Sequence, residues 1–134
     1  MEIYNNDIVL KKIGKLNKDV IYSKCEDSLF YIFPLIEKIV REIYLLFPTH
    51  HIKNFYFNAD ETITKLIQDN NDILSNDIID VIKKYYEGDD ALRNLLFNPS
   101  KDLNGDVDYD ELIELIENLL NVYVNGFSTE NYNR

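Results

Sequence analysis

A single cysteine, Cys25, cannot form a disulfide within the chain, and it fits a reducing, cytoplasmic setting. A partly buried, inert thiol is the expected state of that residue. With only four glycines and three prolines among 134 residues, no stretch has linker composition, so one domain is expected over 1–134. Long apolar runs are also missing. Glu37, Lys38, Arg41 and Glu42 break the most hydrophobic stretch, which excludes a membrane-spanning helix there. The opening residues, MEIYNNDIVLKK, lack the apolar core of a secretion signal. Basic residues are scarce as well, 14 against 24 acidic ones, for a net charge of −10. That balance argues against broad binding to a phosphate backbone, which needs a Lys/Arg surface. It favours a basic partner or a cation. Gly-rich phosphate loops, nucleophile elbows and zinc spacings are all absent from the sequence.

What is present is helical periodicity. Hydrophobic residues make up 46% of the chain, enough to drive folding. A short helix over 6–16 and a linker to residue 27 come first, with Lys11, Lys12, Lys15, Lys18 and Lys24 forming a solvated basic cluster. Over 28–47, Leu29, Ile32, Phe33, Ile36, Ile39, Val40 and Ile43 recur at helical spacing, with Pro34 either kinking the helix or marking its first turn. Pro48 closes that helix. Segment 49–58 reads as a loop, and Asp60 can cap a helix over 61–68. Ser75 reads as the N-cap of a helix over 76–87, interrupted by Gly88. Asp89 or Asp90 then restarts a helix through Phe97. Asp108 caps the last helix, from Tyr109 to about Asn125, which carries Leu112, Ile113, Leu115, Ile116, Leu119, Leu120 and Val124 as its stripe. Gly126 is read as its stop, and a frayed tail over 127–134 follows. The sum is an all-α bundle of four to five mostly antiparallel helices, its core spanning 28–126.

Within this scaffold the segment ALRNLLFNP sets Arg93 beside Asn94, with a polar side chain, Asn98, five residues after Arg93. With the helices that precede and follow it, this segment resembles the HEPN superfamily over roughly residues 28–124. Those proteins are small helical bundles of toxin–antitoxin, abortive-infection and CRISPR-linked systems, and many are metal-independent ribonucleases that work as dimers. The resemblance implies a cation for the scissile phosphate at Arg93 and a polar group for the ribose hydroxyl at Asn94. The family's histidine is replaced by Asn98, and the only histidines, His50 and His51, are remote in sequence. Because Asn does not exchange a proton near neutral pH, the resemblance implies a degenerate site. The expected activity is association with a protein partner, a second copy, a nucleotide or RNA, in a prokaryotic or phage defence setting. A residual ribonuclease role is the lesser expectation. The alternative reading of the residues themselves makes Arg93 an ordinary surface cation paired with Asp89 or Asp90.

The next segment, SKDLNGDVDYDE at 100–111, fits a calcium-binding EF-hand loop in part. Asp102, Asn104, Asp106, Asp108 and Glu111 fall at ligand positions, and Gly105 at the sharp turn. Ser100 in place of an acidic first ligand, Pro99 in the entering helix and the lack of a second copy depart from that pattern. The competing reading is an acidic turn in which Asp108 and Glu111 form a helix-capping box. No cofactor is expected on the first reading and Ca2+ on the second. A third function reading, an acidic phage-type inhibitor of a host nucleic-acid-binding protein, rests on charge alone.

Overall fold

The computed structural model describes residues 18–45, 63, 67–68, 73–88, 90–98 and 106–132. All regular structure among them is helical, as the periodicity requires. Helix α1 is Lys18–Tyr22, a 3-10 turn covers Glu26–Ser28, α2 is Leu29–Leu45, α3 is Asn76–Tyr86, α4 is Leu92–Leu96 and α5 is Tyr109–Tyr132. Ile63, Ile67 and Gln68, from the segment expected to be helical over 61–68, have helical backbone, and the two isoleucines are buried. The expected helix over 6–16, Pro48, the loop at 49–58 and all of 100–105 lie outside the described residues.

Helix α2 is the axis of the molecule. Leu29, Ile32, Phe33, Leu35, Ile36, Ile39, Val40, Ile43 and Tyr44 are all essentially inaccessible to solvent. This is wider than the stripe read from the sequence, which left out Leu35 and Tyr44. A helix buried over so much of its surface must be covered from several sides. Helix α5 covers most of it, and α1, the 3-10 turn and α4 add the rest, while α3 packs on α4 and α5. Leu112, Leu115, Ile116, Leu119, Leu120 and Tyr123 of α5 join Ile79, Ile82, Tyr85 and Tyr86 of α3 in one continuous core. Pro34 lies inside α2 and is exposed, so it marks neither end of the helix. The chain before α2 is more helical than its weak periodicity suggests, because Ser28 stabilises the turn locally: its hydroxyl donates to the Cys25 carbonyl at 2.6 Å.

Two N-caps fall where the sequence places them. Ser75 Oγ accepts from the Ile78 amide at 3.4 Å, and an Asp108 carboxylate oxygen accepts from the Glu111 amide at 3.0 Å. Helix α4 starts otherwise: its N-cap is Ala91, which makes no side-chain bond, one residue beyond the expected Asp90. Helix α5 also departs from expectation, passing through Gly126 as far as Tyr132, across most of the tail expected to fray. One glycine costs a helix interior only about 1 kcal/mol, too little by itself to end it. Gly88, with φ of +93°, does reverse the chain, between α3 and α4.

Candidate functional site

The turn at Gly88 folds α4 back so that Arg93 and Asn94 lie beside α2 and the end of α3. The amide nitrogen of Asn94 donates to the carbonyls of Tyr86, at 3.1 Å, and Gly88, at 2.7 Å. The Tyr86 carbonyl lies in the last turn of α3, where helix carbonyls lack an intrahelical partner, and the Gly88 carbonyl, in the turn that follows, also accepts from the Ala91 amide at 3.2 Å. Asn94 therefore ties α4 to the end of α3 and to the turn after it. Its donor group is committed to structure and is not presented to a ligand.

Arg93 reaches back to α2. Its guanidinium lies 3.8 Å from a carboxylate oxygen of Glu37 and sits over the ring of Phe97 at 4.8 Å from the centroid; Asp89, one of its two expected partners, lies outside the described residues. The Nε atom is buried without a hydrogen-bond partner among the described residues. Next to this group, Tyr86 donates to the Phe33 carbonyl at 3.1 Å. Its hydroxyl is pushed well above the ordinary tyrosine range by burial first and by the Glu37 carboxylate second, so it stays protonated. Asn98 ends the α4 turn, its amide donating to the Leu95 carbonyl at 3.2 Å. Both histidines lie outside the described residues. The described part of this site offers a held cation, a committed amide and a phenol that burial keeps protonated.

Phe97 is 43% exposed and meets Phe30 of α2, itself 46% exposed, edge to face at 5.6 Å. Large aromatic side chains are expensive to leave in water, and a contiguous pair beside an arginine has the composition of a protein-binding hot spot. Periodicity does not reveal this pair: Phe30 falls off the α2 stripe, and its neighbour is 67 positions further along the chain.

Of the five residues laid on the calcium pattern, Asp102 and Asn104 lie outside the described residues, and Asp106, Asp108 and Glu111 lie inside. Asp108 acts as the α5 N-cap. Glu111, the closing ligand of that pattern, directs its carboxylate at α3: it accepts from Lys84 at 2.7 Å and from the Tyr85 hydroxyl in a short bond. These two donors hold its carboxyl below the ordinary range, Lys84 contributing most. Only half of the capping box forms, since the Asp108 side chain caps Glu111 while the Glu111 side chain bridges to α3. No group of three potential metal ligands converges among the described residues. Sequence spacing could not foresee the Lys84–Glu111–Tyr85 clamp, because it joins residues 26 and 27 positions apart.

Cys25 is exposed, contrary to expectation. Its sulfur lies 3.4 Å from the Ser23 hydroxyl, and that contact, followed by the Ser28 amide, lowers the thiol's pKa. No family model, no curated protein and no solved structure matches the chain.

Proposed function

We propose that the chain is a HEPN-like helical bundle that has given up catalysis and works by binding protein, with a second copy of itself as the partner the resemblance implies. The observation that carries this reading is the face formed by Arg93, Phe97 and Phe30: two aromatic rings in contact, both more than two-fifths exposed, with a guanidinium over Phe97 that Glu37 holds only loosely. Burying the two rings would gain roughly 25 cal/mol for each Å2 of apolar surface removed from water.

Support for the absence of catalysis comes from Asn98 in the histidine position and from the commitment of Asn94 to the α3 terminus. The resemblance places such a protein in a prokaryotic or phage defence system. No helix among the described residues is long and apolar enough to cross a membrane. The test is oligomeric state. Sedimentation equilibrium is expected to give a dimer for the wild type, and a monomer with unchanged circular dichroism for Phe97→Ser and for Arg93→Ala. A wild type that stays monomeric at high concentration, or a dimer indifferent to both changes, would count against the face.

A further inference from the structure

A second surface lies between α3 and α5, on residues separate from the Arg93 face. The two helices leave a half-open groove of about 280 Å3. Ile78 and Val81 of α3 and Leu115 of α5 line it with hydrocarbon, while Asp77, Glu111 and Glu114 line it with carboxylates. Glu111 is already bonded to Lys84 and Tyr85. Asp77 and Glu114 have no bonding partner among the described residues. The groove therefore combines an apolar lining with two unneutralised negative charges.

We propose that this groove docks a cationic amphipathic segment of a partner protein, its apolar side chains on Ile78, Val81 and Leu115 and its Lys or Arg head groups against Asp77 and Glu114. Three observations select this occupant. The volume lies just below the roughly 300–1,000 Å3 of pockets that enclose small ligands, and it suits a few side chains of a docked helix. The carboxylates do not converge as metal ligands do, so spread cationic side chains fit them better than a single ion. Their sign repels nucleic acid and attracts a basic partner, and the net charge of −10 adds long-range steering in the same direction. Lys and Arg suit such a surface because their hydrocarbon stems cover apolar side chains while their heads stay near carboxylates.

The experiment uses the full 15N-labelled chain and two synthetic helical peptides of equal positive charge, one with Leu on its opposite face and one with Ser there. The Leu peptide is expected to shift amide resonances at 77–81 and 111–118, with affinity falling about tenfold in Glu114→Lys and weakening with added salt. Glu114 is exposed, so that variant keeps the fold. Asp77→Asn, which removes charge without adding bulk, is expected to weaken binding in the same direction. The proposal is overturned if the Ser peptide binds equally well, if shifts scatter over the other acidic residues, if Glu114→Lys binds like the wild type, or if the Leu peptide does not bind. The dimer test at Phe97 and Arg93 reads different residues, so either result can fail alone.

Discussion

Asn94 shows how one side chain can be misread at the residue scale. In sequence it follows Arg93 in a segment that resembles a ribonuclease signature; in the fold its amide ties the carbonyls of Tyr86 and Gly88 together. Asn94→Ala should therefore cost stability, about 1–2 kcal/mol in denaturant unfolding for the donor lost to two carbonyls. Arg93→Ala should cost less, since its ion pair with Glu37 is long and partly solvated. If the two losses came out in the reverse order, the roles assigned here would be exchanged. Glu111 gives a pH prediction. Its carboxyl is held below the ordinary range by Lys84 and then Tyr85, so the folded state binds its proton more weakly than the unfolded state does. Its contribution is then present above the unfolded carboxylate's pKa and is lost as pH falls through the lowered folded value. Exposure limits its size to somewhere between a few tenths and about 1 kcal/mol. Unfolding of wild type and Glu111→Gln should differ by that much at neutral pH and converge in acid; a difference that persisted in acid would mean that the clamp is not ionic. Cys25 should react with iodoacetamide faster than an ordinary exposed thiol, and Ser23→Ala should slow it, because the Ser23 hydroxyl is the first cause of its lowered pKa.

At the scale of elements, the signals that could be read from sequence were local ones. Ser75 and Asp108 cap their helices because a short side-chain oxygen just before an apolar run meets an amide three residues later, and both should cost about 1 kcal/mol when changed to Ala. The stripes of α2 and α5 were legible for the same reason, a period of 3.6 residues. Elements set by other forces were not legible. Helix α1 and the 3-10 turn carry local hydroxyl–carbonyl bonds that leave no periodicity, and α4 begins at a buried alanine whose amide donates to the Gly88 carbonyl. Gly126 does not end α5, because a glycine stops a helix when the chain leaves in a left-handed turn, as it does at Gly88 and not at Gly126. Gly88→Ala should accordingly destabilise the α3–α4 turn by about 1 kcal/mol, from the backbone angle alone, since a Cβ there meets nothing within 4 Å.

For the whole molecule, the all-helical class followed from composition and period, while both surfaces proposed for binding arose from packing. Phe30 meets Phe97, and Ile78 and Val81 approach Leu115, only once α2, α3, α4 and α5 are assembled. The candidate residues Arg93, Asn94 and Asn98 were found by spacing, but their chemistry was decided by contacts made across the bundle. The calcium reading retains one clear consequence. With Glu111 bonded to Lys84 and Tyr85, calcium can recruit that carboxylate only by breaking the clamp, so millimolar calcium should leave the melting temperature of the wild type unchanged. A rise that Glu111→Gln removes would restore the loop as a metal site. The most direct test of the central claim, association in place of catalysis through the Arg93 face, is sedimentation equilibrium with a fluorogenic RNA cleavage assay run on the same samples in EDTA. The expected result is a wild-type dimer without cleavage, converted to monomer by Phe97→Ser and by Arg93→Ala. A monomer that cleaves RNA, with cleavage lost in Arg93→Ala, would contradict it.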